Sequence, residues 1–172
     1  MACALTQGRA IDCRNNAGGI QEVLIANFGN ITIDTVASGV ITAMTQAAAT
    51  SFFKYNLEKE NGSLVETQTG SLENGTNFWT QTLAMIFHKM DADKRNNILL
   101  LAGADLHVIV ETQNGVYWWV GLKNGANLTA STAGAGKAYG DLNGYNITIT
   151  GSEPLLANEL SSTAFGTLTI AA

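Results

Sequence analysis

The chain has 172 residues, of which 46% are hydrophobic and only 13% charged, with a net charge of −5. That is enough for one full core and short for two, and the charged share is about half the usual quarter. The nine Lys and Arg residues form no basic run interleaved with aromatics, which excludes stable nucleic-acid binding. No apolar stretch reaches membrane-spanning length. The thin charge has two explanations: an oligomer that hides part of the surface, or a monomer coated in Thr, Asn, Ser and Gly.

Residues 1–21 have no clear periodicity and read as an N-terminal arm. Residues 1–7 lack a basic start and a long apolar run, so no export signal is expected. Cys3 and Cys13, the only cysteines, are then expected as free thiols, and they make no zinc site. Glu22 to Ile33 is rich in β-branched residues and predicts a strand bent at Gly29. Val40–Met44 predicts a short strand. Gln46–Ala49 could form one helical turn but is too short to stand alone.

A meander follows. Ser51–Glu60 is expected to turn at Asn61-Gly62 into Ser63–Ser71, which turns at Asn74-Gly75. Asn-Gly pairs occur at Asn61, Asn74, Asn114, Asn124 and Asn143. They favour type I′ hairpin turns and argue for an antiparallel sheet. Residues 66–71 have no apolar face, and a strand polar on both sides does not sit inside a core. Residues 57–73 are therefore expected to project as a hairpin, either a loose loop or an arm that docks on a neighbour.

Thr76–Met90 is long enough to cross a sheet, and Leu83–Phe87 is apolar on both faces, predicting cover on both sides. Asp91–Ala102 predicts a helix capped by Asp91 or Asp93, with Ile98, Leu101 and Ala102 against the sheet and Gly103 as a left-handed stop. Leu106–Thr112 and Tyr117–Leu122 predict a hairpin through Asn114-Gly115. In the second of these strands Val116, Trp118 and Val120 share one face, and Tyr117 and Trp119 share the other. One set fills the core; the other is either exposed without a role or covered by a second subunit. Residues 123–141 predict a mobile loop. Leu142–Thr150 predicts a strand broken by Gly151–Pro154, Leu155–Leu160 a helical turn, and Phe165–Ile170 a closing strand. The whole of 1–172 reads as a single domain.

Chemistry is sparse. His88 and His107, the only histidines, each sit in a strand without a ligand-type partner nearby, and a core-edge or surface role suits them. Asp91 and Asp93 resemble a carboxylate pair, but helix capping accounts for both. No phosphate loop, nucleophile elbow or H-E-x-x-H motif occurs. No catalytic residue, cofactor or metal site is expected, and the chain reads as a non-enzyme. The N-x-S/T triplets at Asn30, Asn61, Asn74, Asn127 and Asn146 follow from Asn- and Thr-rich turns.

The layout as a whole resembles the tail tube proteins of tailed bacteriophages. The resemblance lies in Ser51–Met90, with Phe-Phe-Lys-Tyr-Asn-Leu-Glu-Lys-Glu, Asn-Gly-Thr-Asn-Phe-Trp and Leu-Ala-Met-Ile-Phe-His-Lys-Met. The opening Ala4-Leu-Thr-Gln-Gly, Ile11-Asp-Cys-Arg14 and Gly18-Gly-Ile-Gln-Glu22 is similar to virion structural proteins of phages of Bacteroidetes-type hosts. The resemblance implies a mainly β fold, an antiparallel β-barrel or sandwich with one flanking α-helix. It implies hexameric rings stacked head to tail, assembled in the host bacterial cytoplasm and joined to other tail proteins in the virion. An acidic channel would then pass DNA transiently without holding it. The expected subunit contacts are Leu57, Leu64 and Val65 of the hairpin, with Tyr117 and Trp119. The alternatives are another phage structural protein, such as a capsid decoration or tail-completion protein, and a carbohydrate-binding β-sandwich that uses Trp118, Trp119 or Tyr117 as stacking platforms.

Overall fold

The computed structural model describes residues 8–171 except residues 10, 12, 13, 30 and 49. Cys3, Cys13 and the triplet start Asn30 therefore lie outside the described residues, as does most of the first half of the N-terminal arm. The elements run β1 (Ile20–Asn27), β2 (Ile31–Ala37), β3 (Val40–Gln46), β4 (Phe52–Asn56), β5 (Gly62–Ser71), β6 (Thr76–His88), α1 (Ala92–Ala102), β7 (Leu106–Thr112), β8 (Tyr117–Val120), β9 (Ala126–Gly134), β10 (Gly144–Glu153), β11 (Asn158–Leu160), α2 (Ser162–Phe165) and β12 (Ile170–Ala171). The protein is mainly β, with one large mixed sheet folded into a sandwich and α1 on its flank. Most ladders are antiparallel, but β11 runs parallel to β3 and β12 parallel to β4, each over two residue pairs.

β1 and β7 form the centre. Val23-Leu-Ile-Ala26 and Leu106–Val110 are near-continuous apolar runs, the pattern of strands covered on both faces. With side chains alternating along a strand, Val23, Ile25, Val108 and Val110 enter one buried cluster, with Leu83, Met85, Ile147 and Ile149. Leu24, Ala26 and Ile109 enter another, with Ile41, Phe52, Trp119 and Leu160. The antiparallel pair β1–β7 is thus a wall shared by two cores.

The far edge of β7 is divided between two strands. Val108–Glu111 pairs with β8, whereas Leu106 pairs with Ala126 of β9. The chain turns between them at Gly121, whose φ is +69° and where an added Cβ would lie 2.6 Å from the Ala126 nitrogen. Only glycine fits such a left-handed, close-packed position. From this fork one wing runs β8–β11–β3–β2 and the other β9–β10–β6–β5. The second wing curls over the first core until Gly62 of β5 abuts Ile20 of β1. Ile98 and Leu101 of α1 pack against the same core.

Several expectations are corrected. Residues 57–73 form no hairpin of their own, because β4 pairs with β1 and β12, while β5 pairs with β6. The turn before β5 uses Glu60 at positive φ, not Asn61-Gly62. Residues 123–141 are not one loop: Ala126–Gly134 is β9, held to β10 along its length. Small Thr, Ala and Ser side chains hide that strand from any apolar alternation. β6 is buried on one face only, through Gln81, Leu83 and Met85. Gly103 closes α1 without a left-handed conformation, at φ −101°. No helical turn forms at Gln46–Ala48, where β3 ends and Thr50 N–H donates to the Ala47 carbonyl. β10 runs through Gly151 to Glu153, the second helical turn is Ser162–Phe165, and the closing strand shrinks to Ile170–Ala171.

Candidate functional site

Two surface features stand apart from the cores. The first is the β5–β6 hairpin. Its ladder runs from Gly62↔Met85 to Ser71↔Thr76. β10 accompanies β6 only as far as Glu153↔Trp79. Beyond that pair the hairpin is a two-stranded ribbon, with residues 72–78 exposed, including Leu72 and Phe78. The Gln68 side-chain amide donates across it to Asn77 Oδ1 at 2.9 Å. The turn at its tip ends with Gly75 at φ +60°.

β5 is also an end strand of the sheet and pairs with β6 alone. Free edges are usually guarded by lysine, proline, bulges or a covering element. β5 has no lysine or proline, and its ladder shows no register shift. Its single charge, Glu66, is directed at the chain's own loop and accepts from Ala157 N–H at 3.1 Å. Burial raises the Glu66 pKa, partly offset by that hydrogen bond. The opposite end strand, β2, has two register shifts that irregularise its ladder.

The second feature is a groove of about 520 Å³ at the root of the ribbon, lined by Trp79, Trp118, Val36, Leu155 and Leu156, with Asn158 and Glu159 among its polar residues. Trp118 shares the Val120 face but lies on the wing that leaves the fork, so that it lines the surface. Trp119, one residue on, is fully buried. Its indole meets Phe52 edge-on at 6.1 Å and His107 at 5.4 Å.

The expected contact residues separate accordingly. Trp119 is enclosed by the chain's own second core and has no surface to offer a neighbour, so that assignment is corrected. Tyr117 is half-buried and stacks on Phe165 at 4.0 Å. Leu57 and Leu64 pack against the first core. Val65 is 56% exposed on the open strand β5. Sequence reasoning passed over Trp79 and Phe78; their place in a strand that outruns its neighbour was the available signal.

The buried polar groups serve the fold. His107 Nδ1 lies 3.3 Å from the Trp119 indole N–H and 3.2 Å from the Gly121 carbonyl. A neutral ring accepts the first or donates to the second, according to its tautomer. Burial holds its pKa down to about 4. Gly121 N–H donates to buried Gln81 Oε1 at 3.0 Å. Glu153 Oε1 accepts from Lys123 N–H and Asn124 N–H, each at 2.8 Å. Buried Glu22 pairs with Lys54; Glu111 is pushed up by burial and then by the Glu22 charge. Asp91 caps α1 by accepting from Lys94 N–H at 2.8 Å, whereas Asp93 lies in its first turn. His88 sits at the surface with its Nε2 2.7 Å from Asn61 Nδ2. Among the described residues, no group of three or more His, Cys, Asp or Glu could hold a metal. Among them, too, no helix is long and apolar enough to cross a membrane.

No protein-family model matches the chain, and no curated protein matches it.

Proposed function

We propose that this chain is a structural subunit that assembles with copies of itself, in the manner of a phage tail tube protein. The observation that carries this reading is the β5 edge, which pairs with β6 alone, has no lysine, proline or bulge, and is continuous with the projecting ribbon. An exposed edge of this kind invites pairing with another chain, and Val65, Leu72 and Phe78 add apolar area beside it. The low charged share of 13% agrees with a surface partly hidden between subunits. In this reading the subunits form hexameric rings that stack into a tube and join other tail proteins. The net charge of −5 lets DNA pass without sticking. The chain carries out no catalysis.

Light scattering and negative-stain microscopy of the purified protein test the proposal. Rings or tubes are expected, and a stable monomer at high concentration overturns it. Discrete particles would instead favour a capsid decoration or tail-completion protein. The variant Val65→Lys places a guard charge on the edge. It should alter stability by no more than about 0.5 kcal/mol while suppressing assembly. A second reading, a carbohydrate-binding module, draws on the Trp79–Trp118 groove, since two indole faces beside polar groups suit sugar rings. Glycan-array binding lost in Trp118→Ala would favour it.

A further inference from the structure

Asn-Gly pairs carry a chemistry of their own. The glycine nitrogen can attack the asparagine side-chain amide carbon, because no side chain on glycine obstructs the approach. A C–N bond forms, ammonia leaves with the former amide nitrogen, and a succinimide ring results. Solvent water then opens the ring at either carbonyl, giving aspartate or its backbone-extended isomer, isoaspartate. The reaction requires a side chain free to swing onto the next residue and a glycine nitrogen not committed to a hydrogen-bond ladder.

Four of the five pairs are restrained. Asn61 Nδ2 meets His88 Nε2 at 2.7 Å, and Gly62 is packed against Leu57 and Ile20. Asn114 Oδ1 accepts from Ala17 N–H at 3.0 Å, its Nδ2 donates to Asn16, and Gly115 N–H donates to the Thr112 carbonyl at 2.9 Å. Asn124 Nδ2 donates to the Ser152 carbonyl at 2.7 Å. Asn143 Oδ1 accepts from Met90 N–H at 3.4 Å, and Gly144 lies in the β6–β10 ladder.

Asn74 differs in combining these freedoms with an unpartnered side chain. It lies exposed at the ribbon tip, outside any strand. Its backbone N–H donates to Ser71 Oγ at 3.2 Å, but its side-chain amide has no partner among the described residues. Gly75 belongs to no ladder and no turn hydrogen bond. We infer that Asn74 is a site of spontaneous covalent modification, which converts the ribbon tip from one acidic side chain, Glu73, to two. The consequence for assembly rests on the function proposed above; the site itself does not.

The test is peptide mapping by mass spectrometry of the full-length protein aged in warm, mildly alkaline buffer, beside a parallel sample in urea. In the native protein the Asn74 peptide is expected to convert about ten-fold faster than any other Asn-Gly peptide, the restraint on the others being at least one hydrogen bond each. In urea the five rates should converge, and Asn74→Gln should remove the early conversion while leaving the other four unchanged. Native conversion spread evenly over the five, or led by another pair, overturns the inference. Light scattering of the aged sample separates the two readings. Conversion with assembly unimpaired upholds the site and counts against the ribbon as a contact.

Discussion

The β1–β7 wall and the β5–β6 ribbon are both antiparallel strand pairs, yet they occupy opposite extremes. Every side chain from Val23 to Ala26 and from Leu106 to Val110 is buried, on whichever face it projects. In the ribbon beyond Trp79, both faces are open. The wall has spent its surface inside the subunit. The ribbon keeps its surface free, and a strand pair in water with neither face covered adds little to stability. In the proposed assembly, stability and association are carried by different regions, and each can be altered without the other.

The strongest test of that division is Trp119→Ala. It empties the second core behind the wall and removes the indole donor to His107. A loss of about 3–5 kcal/mol is expected in denaturant titration. A loss below about 1 kcal/mol would mean that the wall is not covered on this side.

A somewhat smaller effect follows from His107, in the wall strand β7 at the fork. Burial lowers its folded-state pKa from 6.5 to about 4. Between those values the unfolded chain binds a proton that the folded chain refuses. The ring's contribution is thus fully present above pH 6.5, falls as the pH drops through the window, and is flat below about 4. The fall is on the order of 3 kcal/mol. Glu66 and Glu111 are raised, so their contributions have the opposite sign, being lost as pH rises through their folded values. The readout is therefore the difference in pH slope between the native chain and His107→Gln, with the variant the flatter.

The smallest effect on stability is expected at the ribbon. Replacing residues 69–78 by a two-residue turn, at the Gln68↔Trp79 pair, should change stability by about 1 kcal/mol or less. Stacking of rings should be lost in the same variant. Unimpaired stacking would remove the ribbon from the contact, and a large loss of stability would erase the contrast with the wall.

Much of this arrangement was legible in the sequence, and the rest failed for identifiable reasons. Both strands of the wall were expected as strands, but cover on both faces was expected of Leu83–Phe87 in β6 rather than of β1 and β7; α1 declared itself through Asp91. The alternation in β8 separated Trp118 from Trp119 correctly, but it could not say which face was internal. That was decided by the fork at Gly121, where long-range pairing with β9 begins. Asn-Gly pairs served unevenly as turn signals: Gly75 and Gly115 lie at positive φ in the β5–β6 and β7–β8 turns, as expected, while Gly62 and Gly144 begin strands. Among the described residues, the turn with two successive left-handed residues is Ser38-Gly39, between β2 and β3. At the ribbon, polarity revealed that something projects, but only the ladder between β5 and β6 identified the partner strand.

The shared wall also has a dynamic consequence. Neither core can come apart while the other stays intact, because each is lined by alternate side chains of the same two strands. Partial openings are then confined to the periphery, to the ribbon, the short α2 and the outer strands of each wing. An assembly made from such subunits can flex and exchange contacts at its joints while every building block keeps its shape.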